Sequence, residues 1–239
     1  KGTPVSTERP PLIALIHGVP AAIEPATLAI REEIPGARVW NVLDDRLIEE
    51  VNVQGGVTPA LLERMVRLID HALLEGADGV LITCSLYSFV AATSSAERRV
   101  PILGADAAAF HDVIAAKPQR VLLVASVEPA LEDSATRLRE VAVEHHAHFE
   151  LVPIFVEGAL EAASAGDGPR VAELIATAVR PQLRDGDAVL LAQYSLSPAS
   201  AQASSLLGVT VYSGPARAAR ELHAAINHPD RRHHQFYAD

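Results

Sequence analysis

Short apolar runs in this chain recur at one spacing. Ala77-Asp78-Gly79-Val80-Leu81-Ile82-Thr83-Cys84 reads like Gly186-Asp187-Ala188-Val189-Leu190-Leu191-Ala192-Gln193, which sets Cys84 opposite Gln193, an offset of 109 residues (193 − 84). The first run, ending at Pro20, matches the run ending at Pro129 at the same offset, and Trp40 matches Phe149. The segment before each repeated run follows suit, with 63–76 overlaying 172–185. One offset at three places predicts a duplicated unit, and so two similar lobes.

The runs are strand-length: 12–16, 38–43, 79–83, 121–125, 149–154, 188–192 and 209–212. Amphipathic stretches separate them. The clearest helix is predicted over 58–76, with Thr58 as cap, Pro59 at the first helical position and Gly76 at the end. Its residues Leu61, Leu62, Met65, Leu68, Ile69 and Leu73 make one apolar stripe at helical spacing. Strands alternating with helices predict an α/β fold, with parallel sheets covered on both faces. The expected lobes are 1–104 plus 206–239, and 105–205, related by a pseudo-twofold axis with the active site in the cleft between them.

Charge and cysteine usage exclude several classes. Thirty acidic against twenty basic side chains leave a formal charge of −10. A nucleic-acid binder or a protein docking on an anionic membrane needs the opposite balance, so neither partner is expected. A single cysteine among 239 residues makes no internal disulfide and no cysteine-based zinc site. That fits a reducing, cytoplasmic setting. No apolar run approaches the ~20 residues of a membrane span. The start, Lys1 to Pro11, is polar and Pro-rich, and is read as a loose arm. His145, His146 and His148 are too close in sequence to share one helix face, His233 and His234 fall in a polar tail, and no HExxH occurs, so no metal is expected. Neither a GxGxxG nor a Walker loop is present, and no cofactor is expected.

Ligands of parallel sheets sit outside the carboxyl ends of the strands. In the first lobe these ends carry His17, Asp44-Asp45 and Cys84-Ser85-Leu86-Tyr87-Ser88. In the second they carry Ser126 and Gln193-Tyr194-Ser195. Cys84 is the leading catalytic candidate. At a strand-to-helix junction, backbone amides can lower a thiol's pKa and supply a thiolate as base or nucleophile. Tyr194 and His17 are candidates for the opposing acid–base group. Ser85, Ser126, Gln193, Ser195, Asp44 and Tyr87 are candidates for holding a carboxylate or enolate oxygen, since hydroxyl and amide donors suit it. Ser126 is read as the counterpart of the first strand's end.

Three motifs carry a resemblance: Asn41-Val42-Leu43-Asp44-Asp45, Gly76 through Ser85, and Leu190-Leu191-Ala192-Gln193-Tyr194-Ser195. From about Leu12 to Pro215 the chain resembles the aspartate/glutamate/hydantoin racemase superfamily, which includes maleate isomerase and arylmalonate decarboxylase. The resemblance implies a two-lobed fold, an interlobe site and cofactor-independent proton transfer beside a carboxylate or carbonyl of a small organic acid. Racemases of that family use two facing cysteines. Cys84 matches the first, and Gln193 stands where the second would be. Ile16-His17 replaces the Asp-Ser pair of the amino-acid racemases. The first expectation is a racemase or isomerase with Cys84 as acid/base. The alternatives are an arylmalonate-type decarboxylase or other lyase with Cys84 as sole proton donor, covalent catalysis by Cys84, or a non-catalytic protein that binds small acids. The resemblance and the apolar helices are compatible with a homodimer.

Overall fold

The computed structural model describes residues 9–228. Most of the predicted arm, and His233-His234 in the tail, lie outside the described residues. The first lobe runs β1 (Leu12–His17), α1 (Ile23–Glu33), β2 (Arg38–Leu43), α2 (Arg46–Gln54), α3 (Pro59–Leu74), β3 (Gly79–Ile82), α4 (Val90–Glu97) and β4 (Ile102–Gly104). Then follow α5 (Ala107–Ala115), β5 (Arg120–Ala125), α6 (Glu128–Glu144), β6 (Glu150–Phe155), α7 (Ala159–Ser164), α8 (Gly168–Val179), β7 (Asp187–Leu191), α9 (Ser200–Leu207), β8 (Val211–Tyr212) and α10 (Pro215–Asn227). The strands form two parallel sheets of identical topology, β2-β1-β3-β4 and β6-β5-β7-β8.

The central strands are continuous apolar runs between their ends, because both faces are covered. In β1, Ile13 and Leu15 enter one core while Ala14 and Ile16 enter another. In β5, Leu122 and Val124 face one core, and Val121, Leu123 and Ala125 the other. The predicted long helix forms as α3, starting at Pro59. Gly76, at φ +81°, takes the left-handed conformation that turns the chain toward β3. Leu61, Met65 and Ile69 of its stripe are buried, and Leu62, Leu68 and Leu73 pack at the margin of the same core.

The duplication is real in topology, but its offset is not uniform. Strand pairing sets Leu12 beside Arg38 and Gly79 beside Ile13, just as it sets Arg120 beside Glu150 and Ala188 beside Val121. The offset of 109 holds for Gly79 and Ala188 (188 − 79). It is 108 for the first strands (120 − 12) and 112 for the second strands (150 − 38). Trp40 therefore corresponds to Val152, not Phe149, and the true partner of Ser126 is Gly18, each lying one residue past its strand. The short β4 escaped the sequence reading, since three residues carry no periodicity.

The second sheet extends past position 205, because β8 pairs with β7. The chain returns to the first lobe with α10, which packs on α1 and on β3. Gly79 permits this: a Cβ there would lie 3.0 Å from Ile226 and 3.1 Å from Leu222 of α10. Among the described residues no helix is long and apolar enough to cross a membrane.

Candidate active site

β3 ends at Ile82, and Cys84 caps a short 3-10 turn, Ser85–Tyr87. β7 ends at Leu191, and Gln193 caps the corresponding turn, Tyr194–Ala199. Equivalent strand ends in two similar sheets thus bring Cys84 and Gln193 to one cavity between the lobes. The first lobe contributes Val19, Ile48, Thr83, Cys84, Ser85 and Leu86. The second contributes Val127, Ala130, Gln193, Tyr194 and Ser195. The cavity has a volume of about 30 Å³, room for one or two waters.

The backbone N–H groups of Leu86 and Tyr87 favour a thiolate at Cys84, as the turn geometry suggested. Burial outweighs them. Together with the negative charges of Asp106 and Asp133, it pushes the thiol from an ordinary 9.0 up to about 12. The expectation of a lowered pKa is corrected accordingly: at neutral pH Cys84 is a protonated thiol. Iodoacetamide should therefore modify native Cys84 far more slowly than free cysteine between about pH 7 and 9. Mass spectrometry of the alkylated protein measures this, and an inflection at or below the ordinary thiol value would contradict it. The sign for stability follows: unfolded thiol ionises near 9.0 and native thiol near 12, so this group's stabilising contribution is lost as pH rises through that window.

Gly18 supports the thiol. A Cβ at this position would lie 3.0 Å from Cys84 Sγ and 3.4 Å from Ile48. Gly18→Ala is expected to displace the sulfur and lower any Cys84-dependent turnover about tenfold or more, while a fold resting on four separate cores persists. Circular dichroism and kinetics of the variant test both halves.

On the opposite wall, Gln193 Oε1 accepts from the backbone N–H of Ser126 at 2.6 Å and from its hydroxyl at 3.0 Å. Ser126 thus supports Gln193 and is absent from the cavity lining.

The other sequence candidates divide. Ser85 and Ser195 line the cavity. Tyr194 borders it, but its ring is buried in the first lobe's core, with a Cβ on Gly214 set to lie 3.1 Å from it. Its hydroxyl finds no hydrogen-bond partner, and burial raises its pKa. His17 is fully buried and is not part of the lining. Its Nδ1 lies 2.8 Å from Thr83 Oγ1 and its Nε2 2.9 Å from Asn41 Oδ1, tying together the ends of β1, β2 and β3. Burial lowers its pKa, partly offset by Asn41. Asp44 is also turned away from the cavity: Arg64 grips it with two hydrogen bonds of 2.5 and 2.7 Å and reaches Glu50 at 3.0 Å. Tyr87 is buried in the first lobe's core, its hydroxyl unpartnered. A polar residue at a strand's end can point into the core or along the surface, and sequence position alone does not choose.

Sequence reasoning missed Arg137. From α6 of the second lobe its guanidinium donates to the Ser85 carbonyl at 3.0 Å, to Asp106 at 2.5 Å and, through Nε, to Asp133 at 2.8 Å. Burial works against its charge, and the two carboxylates more than restore it. This side chain locks the second lobe onto the turn that carries Cys84. Nothing in its sequence surroundings marks it.

Among the described residues no three His, Cys, Asp or Glu side chains are placed to hold a metal ion. His145 packs instead on His111, with ring centroids 5.0 Å apart.

No family model matches the sequence, and no curated protein matches it. Solved structures do. A glutamate racemase isoform from Bacillus anthracis matches at 13% identity over 97% of this chain and 85% of that one, with a TM-score of 0.72. Allantoin racemase from Klebsiella pneumoniae matches at 20% identity over 91% and 88%, with a TM-score of 0.64. A liganded variant of arylmalonate decarboxylase, with a glycine changed to cysteine and a cysteine to serine, matches at 21% identity over 90% and 92%, with a TM-score of 0.57. At these identities the likeness is one of fold. The chain shares the two-lobed α/β fold of these solved structures.

Proposed function

We propose that the protein is an enzyme that transfers a proton, without a cofactor, at the carbon next to a carboxylate or carbonyl of a small organic acid. Cys84 is the acid on one face of that carbon. The observation that carries this reading is the pairing across the interlobe cavity, the Cys84 thiol on one wall and the Gln193 carboxamide on the other, with burial favouring the protonated thiol. A thiol held in its acid form is ready to donate. An amide cannot take a proton from the opposite face. Racemisation by two facing bases therefore lacks its second base here. One-face protonation after decarboxylation does not require one.

In that reaction the bond from the α-carbon to one carboxylate breaks and carbon dioxide leaves. The electron pair stays on the α-carbon, delocalised into the remaining carboxylate as an enediolate. The Cys84 S–H protonates the carbon, and the resulting thiolate regains a proton from water before the next turnover. Val19, Ile48 and Val127 give the departing carboxylate an apolar wall, where its charge is poorly solvated. Ser85 and Ser195 offer hydroxyls to the enediolate.

The test is incubation with a malonate bearing two different α-substituents in deuterated water. One-face decarboxylation gives carbon dioxide and a single α-deuterated enantiomer. Incubating the corresponding chiral monoacid tests racemisation, which would scramble the centre with deuterium uptake. Ligand-induced thermal stabilisation without either product would instead favour a binding protein.

A further inference from the structure

Helix α6 has two working sides. Toward the first lobe, Ala130 lines the interlobe cavity and Arg137 grips the Cys84 turn. On its other side lies a groove of about 500 Å³ between α6 and β6. Glu128, Leu131, Glu132, Ala135, Thr136 and Arg139 line it from the helix, at the three- and four-residue spacing of a single helical face. Pro153 and Phe155 line it from the strand. Leu131 and Ala135 make the floor, packed into the second lobe's core. Phe155 stays 41% exposed, and Val143, one turn past Arg139, stays 74% exposed.

The strand side argues against a partner that adds to the sheet. β6 is an edge strand. Glu150 donates to Gln119 and Val156 to Ala125, so the even-numbered N–H groups face β5. The odd-numbered ones face the free edge, and Pro153 has no N–H to offer there. An added strand would meet an interrupted ladder. The groove suits a helix.

Its charges say which helix. Among the described residues the side chains of Glu128, Glu132 and Arg139 have no ion-pair or hydrogen-bond partner. The carboxylates stand at the start of α6, and Arg139 stands eleven residues after Glu128 (139 − 128), about three turns along the same face. A face laid out in this way is complementary to itself when turned end for end. A twofold axis through the midpoint of 128 and 139 sets Glu128 against the partner's Arg139, and Leu131 against the partner's Thr136. Symmetry repeats both pairs. Phe155 lies beside Ala125, three residues before α6 begins, so the partner's Val143 runs toward it.

We propose that this groove is a homodimer interface, in which α6 of a second copy lies antiparallel to α6 and two Glu128–Arg139 pairs fix the register. Apolar contact at Phe155 and Val143 supplies the drive, and the charges supply the specificity.

Sedimentation of the full chain between about 1 and 100 μM tests it. Wild-type protein should sediment as a dimer at the upper end. Arg139→Glu and Glu128→Arg should each weaken dimerisation about tenfold or more, because each sets like charges against one another. Combining the two substitutions restores opposite charges across the axis and should restore the dimer. Phe155→Asp should also give monomer. Circular dichroism of every variant should show the wild-type helix content, since all three side chains are exposed. A wild-type chain that stays monomeric throughout overturns the proposal and leaves the groove to a helix of another protein. A dimer that survives Arg139→Glu and Phe155→Asp, or one that the double reversal fails to rescue, overturns it as well.

Discussion

Replacing Cys84 with serine is expected to lower turnover by about 10²- to 10⁴-fold, the usual contribution of a positioned general acid. A hydroxyl is a much weaker acid than a thiol, yet it is smaller and fits the space beside Gly18, where an added Cβ would come within 3.0 Å of Cys84 Sγ. Substrate affinity should therefore survive within a few-fold, and the loss should appear in kcat rather than KM. The pH profile gives a second reading. A thiol that titrates near 12 remains in its donor form across the neutral range, so kcat should show no fall as pH rises through the ordinary thiol value of 9.0. A serine variant with wild-type kcat would remove Cys84 from the chemistry.

The second large effect concerns stability. Arg137 and Asp106 form an ion pair whose side chains are 14% and 4% exposed. Removing one partner of such a pair leaves a buried charge uncompensated and costs about 3–5 kcal/mol. Arg137→Met should lose that much in urea unfolding, a large part of a total of about 5–15 kcal/mol. It also removes the donor to the Ser85 carbonyl, so the Cys84 turn should loosen and its alkylation should speed up. Arg170→Ala is the control. Its ion pair with Glu173 is more than half exposed on both sides and should be worth no more than about 1 kcal/mol. An Arg137→Met variant as stable as that control would mean the lobes are held together without this clamp.

The repeat was legible because buried parallel strands are continuous apolar runs, and two copies of such a run can be recognised at long range. Its exact register was not. A shift by one residue in the first strand and by three in the second changes which residues are counterparts, and the loops before them absorb the difference without trace in composition. A uniform offset of 109 sets Ser126 against His17, whereas the strand register sets it against Gly18. Cys84, Gln193, Ser85, Tyr194 and Ser195 were found from strand ends alone, and all five border the cavity. The same rule points to His17, Asp44, Tyr87 and Ser126, which lie outside the cavity lining: a hydrogen-bonded node, an ion pair, a core aromatic and a support for Gln193.

The sequence by itself determined the class of fold, the duplication and the two strand ends that meet, because apolar periodicity and turn residues are local properties of the chain. Tertiary structure alone decided the state of the thiol and the orientation of the amide. Local backbone amides predict a stabilised thiolate, but burial between two lobes, with Asp106 and Asp133 nearby, costs the charged form more than those amides return. Whether Gln193 presents its oxygen or its nitrogen depends on a backbone N–H sixty-seven residues away in the chain. Charge and hydrogen-bond direction are set by what surrounds a group in space, and that surrounding exists only once the lobes have packed.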